Sequence, residues 1–152
     1  MIKKKIKDMS EIIAKLITNE EDLQVAYALR KEVFVVEQKV SLEDEFDEFE
    51  EESFHFLATI EDEAVGAARW RKTGGAIKLE RFAVTLNYRG RGIGKALVQS
   101  VLDHIEQSGI IGKLYLHAQL EAIPLYAHFG FKIVGDQFTE CGIEHREMEI
   151  IK

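Results

Sequence analysis

The segment Asn87-Tyr88-Arg89-Gly90-Arg91-Gly92-Ile93-Gly94-Lys95-Ala96-Leu97 carries the clearest chemical signature in the chain. Three glycines alternate with arginine and isoleucine just ahead of an apolar stripe at helical spacing. Glycine lets a backbone come close to a ligand, and the first N–H groups of a helix have no intrahelical acceptor, so they can converge on one anion. Two arginines and Lys95 add positive charge. The natural guest is a phosphate or a pyrophosphate. Spacing excludes two familiar phosphate loops. The nucleotide motif G-x-x-x-x-G-K-[ST] fails because Arg89 stands five before Gly94 and Ala96 follows Lys95. The dinucleotide motif G-x-G-x-x-G, begun at Gly90, meets Lys95 where its third glycine belongs.

Other reactive groups are sparse. His117 sits mid-strand, where it could accept a proton directly or through water, or be a satisfied half-buried histidine. The lone Cys141 has no partner for an internal disulfide. With His145 four residues on in an extended segment, the two would lie about 13 Å apart and share no metal. No G-x-S-x-G elbow occurs, which excludes one class of serine hydrolase. His104 and His128 fall on helices and are expected to face solvent.

The elements that position these groups follow from hydrophobic period and turn chemistry. Ile12–Ile17 reads as a strand, and Thr18-x-x-Glu21 as a capping box opening a helix to about Val35. Phe54–Ile60, Ala64–Arg71 and Ala76–Val84 read as three strands joined by tight turns, one of them Thr73-Gly74-Gly75, and so antiparallel. Ile93, Leu97, Val98, Val101 and Ile105 set a helix ending near Gly109. Lys113–Ala118, Phe131–Val134 and Ile143–Ile151 read as strands, with a short helix at Glu121–Phe129. Strand, loop, helix and strand from Ala76 to Gln119 form a βαβ unit whose strands must be parallel. The fold class is therefore α/β, or α+β with a mixed sheet: antiparallel strands in front, a parallel central pair, and helices on the faces.

Arg89-x-x-Gly92-x-Gly94 resembles the R/Q-x-x-G-x-G/A signature of the GNAT superfamily of acetyl-CoA-dependent acyltransferases. Ala122-Ile123-Pro124-Leu125-Tyr126-Ala127-His128-Phe129-Gly130-Phe131 resembles that superfamily's later aromatic helix. The segment Leu29-Arg30-Lys31-Glu32-Val33-Phe34-Val35-Val36-Glu37-Gln38 is similar to the ElaA/YjcF-like branch. So are Ala68-Arg69-Trp70-Arg71, Leu79-Glu80-Arg81, Ala118-Gln119 and Gly142-Ile143-x-His145, with Glu144 where the branch often has proline. The resemblance implies the GNAT acyl-CoA N-acyltransferase fold, with its central pair splayed into a wedge for acetyl-CoA. It implies pyrophosphate on the amides of Arg89, Gly90, Arg91, Gly92, Ile93 and Gly94, with Lys95 starting the helix. Phe82, Ala83 and Val84 would offer backbone groups to the pantetheine arm and thioester, with His117 and Gln119 beside the wedge.

The resemblance also implies roles in catalysis. Tyr126 matches the position of the proton donor to the departing thiolate, or is simply a core aromatic. Glu80 stands where related enzymes draw a carboxylate base, or forms a structural pair with Arg69 or Arg71. Strict alternation puts Glu80 and Phe82 on one face and Arg81 on the other, an arrangement that a local bulge would change. His55, Arg69 and His145 are candidates for the acceptor pocket. The implied reaction is transfer of an acetyl group from acetyl-CoA to a primary amine by direct attack in a ternary complex. Two alternatives stand: a non-catalytic acyl-CoA-binding or sensing module on the same fold, and a nucleotide-phosphate binder using the same loop.

Composition bounds the rest. With 152 residues the chain fits one domain over 11–152, behind a basic, mobile tail at 1–10. A formal charge of −7 disfavours nucleic acid and anionic membrane as partners, even with the basic cluster Arg69-Trp70-Arg71-Lys72. No apolar run is long enough to span a membrane, the start lacks a secretory leader's apolar core, and the expected location is the cytoplasm. Eight carboxylates within residues 43–52 read as a solvated face, or as a rim that attracts a cationic amine. Replacing Glu48, Glu50 and Glu51 with glutamine would test that rim. An exposed final strand would offer an edge for a homodimer.

Overall fold

The computed structural model describes residues 11–150; the basic stretch 1–10, expected as a tail, lies outside the described residues. In chain order the elements are β1 (Ile12–Leu16), α1 (Glu20–Arg30), a π-helix (Lys31–Glu37), α2 (Leu42–Glu45), β2 (Phe54–Ile60), β3 (Glu63–Thr73) and β4 (Ala76–Val84). Then come α3 (Ile93–Ser108), β5 (Lys113–Gln119), α4 (Ile123–His128), β6 (Lys132–Glu140) and β7 (Ile143–Ile150). The strands form a sheet in the order β1-β2-β3-β4-β5-β7-β6. The pair β4–β5 is parallel and the other neighbours are antiparallel. A parallel pair cannot be joined by a tight turn, and α3 makes the crossover.

Each sheet face buries its own apolar set. The α3 stripe of Ile93, Leu97, Val98, Val101 and Ile105 packs on Phe56, Val65, Trp70 and Leu79. On the other face Ala26 and Leu29 of α1, with Val33 and Phe34, cover Leu57, Ala67 and Ala83. Full burial of a side chain such as Leu97 contributes about 1.5–3 kcal/mol. Among the described residues no helix is long and apolar enough to cross a membrane.

Five local expectations are corrected. The cap of α1 is Asn19 and not Thr18; its side chain accepts from the Asp22 N–H at 2.8 Å. The first helix does not run on as α to Val35, because at Lys31 its turns widen into the π-helix. The strand expected at Phe131–Val134 runs instead from Lys132 to Glu140, with a bulge between Val134 and Phe138. His104 is not solvent-facing: its Nδ1 accepts from the Trp70 indole at 3.1 Å, and its ring lies against Phe54 and Phe56. The final strand β7 lies between β5 and β6, so it offers no free edge to a second copy.

Candidate active site

A wedge opens in the middle of the sheet. β4 and β5 pair only at Ala76↔Lys113, Ile77↔Leu114 and Lys78↔Tyr115. Beyond Lys78, β4 also loses step with β3, for Arg69 faces Glu80 while Ala67 faces Ala83. One residue of β3 therefore opposes two of β4, and Arg81 takes the left-handed φ of 60°. This bulge overturns the strict alternation. Arg81 and Glu80 both turn toward the α1 face, where Arg81 donates to the Glu45 carbonyl at 3.2 Å. Phe82 turns to the α3 face and meets Tyr126 edge-on at 5.6 Å.

The glycine loop stands at the open end of that wedge. Gly90 and Gly92 have φ of 81° and 86°. A Cβ at either would meet nothing within 4 Å, so the backbone conformation, not crowding, calls for glycine. Gly92 is the N-cap of α3, and no side chain caps it. Intrahelical bonding begins with Ala96 N–H to Gly92 at 3.0 Å, which leaves the N–H groups of Ile93, Gly94 and Lys95 without a helical acceptor. Gly94 serves a different end: a Cβ there would lie 3.2 Å from Leu125 of α4. Arg91 and Lys95 are exposed beside the uncapped turn. The Arg89 side chain points elsewhere. It is held by Glu37 at 2.6 and 2.7 Å and donates to the Val84 carbonyl at 2.9 Å, so this residue can offer an anion its backbone sooner than its guanidinium. An uncapped helix start on two left-handed glycines fits a diphosphate.

A pocket runs from the wedge toward the α1 face. Glu80, Phe82, His117, Gln119, Tyr126 and His145 all line it. The Tyr126 phenol has no hydrogen-bond partner among the described residues, and burial pushes its pKa up. His117 Nδ1 lies 3.0 Å from Glu140, and its Nε2 lies 3.6 Å from Glu147. The His117 hydrogen bond, against the opposing effect of burial, takes Glu140 down to about 2. Gln119 exchanges amide hydrogen bonds with Gln38, and His145 Nδ1 is 2.7 Å from the Ile143 carbonyl. The Cys141 thiol, at the β6–β7 turn, is pushed up by burial and the nearby carboxylates of Asp44 and Glu140, which suits it poorly to nucleophilic attack.

Beside the pocket lies a dense ion network. Arg69, with no exposed surface, contacts Glu80 at 2.6 Å, Asp47 at 2.7 Å and Glu50 at 2.8 Å. Arg30, equally buried, holds Glu45 at 2.7 Å and Glu50 at 2.9 Å. Glu80 is also held by Arg71 at 2.7 Å and Lys78 at 3.4 Å. Burial alone would raise the Glu80 pKa, but the charge of Arg69, then of Lys78 and Arg81, keeps it below the ordinary range. The structural-pair reading of Glu80 is thus what the geometry displays, with Arg69 and Arg71 both engaged.

Two acceptor-pocket candidates do not line the pocket. Arg69 is sealed in this network, and His55 is buried with Nε2 2.8 Å from the Glu50 carbonyl. The acidic run is also only partly a solvated face. Glu45, Asp47 and Glu50 turn inward onto Arg30, Arg69 and Arg81, while Glu43, Glu48, Glu51 and Glu52 stay exposed. Glu50 therefore cannot probe a groove without disturbing the fold.

Comparison with known proteins decides the family. Residues 16–152 match the acetyltransferase (GNAT) domain. The uncharacterized N-acetyltransferase YjcF of Bacillus subtilis (strain 168) is 38% identical over 141 residues, spanning 92% of this chain and 98% of that one. The chain belongs to the GNAT acetyltransferase family. Within it the chain falls in the ElaA/YjcF-like branch. The crystal structure of Escherichia coli ElaA superposes with a TM-score of 0.79 at 27% identity, covering 93% of this chain and 99% of that one. A GNAT acetyltransferase from Elizabethkingia anophelis with acetyl-CoA bound shares the fold, with a TM-score of 0.67 at 18% identity over 91% of this chain and 94% of that one. The protein is an acetyl-CoA-dependent acyltransferase with the GNAT fold, a mixed seven-stranded sheet flanked by helices.

This GNAT chain gathers Tyr126, Glu80, His117, Gln119 and His145 from segments far apart in sequence. Residues that sequence reasoning missed as site members are Gln38, which meets Gln119, and Glu140, which meets His117. Gln38 stood inside a quoted motif but had no chemistry of its own to mark it. Glu140 had no signal, since its partner lies 23 residues away across two strands.

Proposed function

We propose that the protein moves the acetyl group of acetyl-CoA to a primary amine by direct attack of the amine within a ternary complex. The uncapped start of α3 on Gly90 and Gly92, at the mouth of the β4–β5 wedge, carries this reading. It supplies unsatisfied N–H groups for a diphosphate, with Arg91 and Lys95 alongside. Phe82, Ala83 and Val84 lie on the stretch of β4 that has left β5, so the backbone groups on that edge are open to the pantetheine arm, apart from the Val84 carbonyl, which accepts from Arg89. Acetyl-CoA supplies the activated thioester.

The amine nitrogen forms a bond to the acyl carbon, the carbon–sulfur bond breaks, and the proton lost by nitrogen ends on sulfur. Tyr126 faces this region with a free hydroxyl. Because burial keeps it protonated, it can give its proton to the departing sulfur, and the proton taken from the amine then restores the hydroxyl. Glu80, already neutralised by Arg69, Arg71 and Lys78, serves as a strut. His117, in the pocket against Glu140, is the group placed to take the amine's proton, directly or through water.

Tyr126→Phe tests the reading. Turnover with a panel of primary amines, followed by thiol release, should fall by about 100-fold. Affinity for CoA in calorimetry should stay within about twofold. A variant that turns over like the wild type removes Tyr126 from the chemistry. A wild-type protein that binds CoA and acetylates nothing in the panel favours a binding module.

A further inference from the structure

The end of the π-helix makes two contacts that acyl transfer, as described above, does not use. Glu37 accepts two hydrogen bonds from the Arg89 guanidinium, at 2.6 and 2.7 Å. The next residue, Gln38, accepts from Gln119 Nε2 at 2.9 Å and donates back to Gln119 Oε1 at 3.4 Å. Arg89 lies in the loop that follows β4, and Gln119 is the last residue of β5. Those strands pair only over residues 76–78 and 113–115. Two consecutive residues of one segment therefore bridge the two walls of the wedge at their open ends.

The segment is well placed to act as one piece. Val33 and Phe34 are buried beneath it. The Gln38 N–H bonds back to Val33 at 3.1 Å, and the Val40 N–H bonds to Phe34 at 2.8 Å. Successive residues along a helix point in different directions, which suits neighbours that reach to different walls. π-Helical turns are rare and concentrate at functional sites. Gln38 and Gln119 line the pocket, so the inner side of this bridge faces a ligand. The Glu37–Arg89 pair stands outside, 35% and 38% exposed, where an ion pair adds little to global stability.

We infer that Glu37 and Gln38 form a two-point strap that fixes the width of the wedge and holds it ready for the coenzyme. They are positioning residues that act through Arg89 and Gln119. The inference rests on the reading of the wedge as the acetyl-CoA site. A strap fails when either anchor is lost, so the two losses are not independent.

Calorimetric titration of CoA into the wild type, Glu37→Gln, Gln38→Ala and the double variant tests this. Each single change should weaken CoA about fivefold, and the double should be no weaker than the weaker single. Melting temperatures should stay within about 2 °C of the wild type. Hydrogen exchange of residues 79–84 without ligand should quicken in all three variants. Glu37→Asp, which keeps the charge, should recover most of the affinity, a rescue that simple loss of packing does not give. Unchanged affinities, or single effects that multiply in the double variant, overturn the strap. A wild type that ignores CoA at millimolar concentration overturns the coenzyme reading itself, and the strap with it.

Discussion

Two neighbouring regions are rich in polar groups, and they differ in whether those groups already have partners. In the network of Arg30, Arg69, Glu45, Asp47, Glu50 and Glu80, each charge meets an opposite one within 3 Å. In the wedge, the first amides of α3 lack a cap and the Tyr126 hydroxyl lacks a partner among the described residues. The first region has the higher charge density and the less chemistry to offer. A carboxylate surrounded by guanidinium groups is stabilised as an anion and makes a poor base. Unsatisfied donors at a helix start are what a ligand can complete.

The sharpest way to break this contrast is to remove Arg69. Arg69→Ala leaves the buried Glu80 and the half-buried Asp47 without their main counter-charge. Losing one partner of a buried ion pair costs about 3–5 kcal/mol, so the variant should be largely unfolded or melt far below the wild type in a thermal scan. A melt unchanged to within a few degrees would mean that the network does not hold the fold together.

A smaller effect belongs to the wedge. Gly92→Ala places a Cβ on a residue with φ of 86°, at a cost of about 1–2 kcal/mol. Relief of that strain would turn the first amides of α3 away, so CoA affinity should fall more than stability does. Calorimetry and a thermal melt on the same sample compare the two. Equal CoA affinity in wild type and variant would place the diphosphate elsewhere.

The gentlest probe is pH, and its sign can be worked out group by group. Burial, the largest effect, lowers the His55 pKa below the ordinary imidazole value, and burial does the same to His104, so the unfolded chain takes up protons first. Stability from these two should be lost as pH falls below about 6.5. For Asp47, burial is outweighed by the Arg69 hydrogen bond and charge, and its pKa falls to about 2. Its contribution, present above about pH 4, should be lost as pH falls toward about 2. Thermal melts between pH 8 and 2 should therefore show two declines. His104→Phe should reduce the upper one alone, and a flat profile through pH 6 would contradict the assignment.

The two regions were unequally legible in the sequence. Gly90, Gly92 and Gly94 announce themselves because their spacing before an apolar stripe has few other uses, and the strand order around them follows from turn chemistry. Of the network, the pairing of Glu80 with Arg69 or Arg71 was legible; the rest was hidden because its partners are distant in the chain: Arg69 reaches back 22 residues to Asp47, and Arg30 forward 20 to Glu50. From the chain alone Glu45, Asp47 and Glu50 look like their exposed neighbours Glu43, Glu48 and Glu51. The bulge at Arg81 was signalled by the family resemblance alone, since alternation assumes a regular strand and a positive φ at arginine has no composition signal. The cap moved by one residue because Asn19 competes with Thr18 for the same amides, and local sequence does not rank them. The inner place of β7 is a matter of long-range pairing, invisible to any local pattern.

The central claim is that the amides between Arg89 and Lys95 hold the diphosphate of the coenzyme. Calorimetric titration of the wild-type protein with CoA and, separately, with pantetheine, which lacks the diphosphate, tests it most directly. The account predicts saturable binding of CoA and no measurable heat from pantetheine at the same concentration. Equal affinity for the two compounds, or no response to CoA at millimolar concentration, would contradict it.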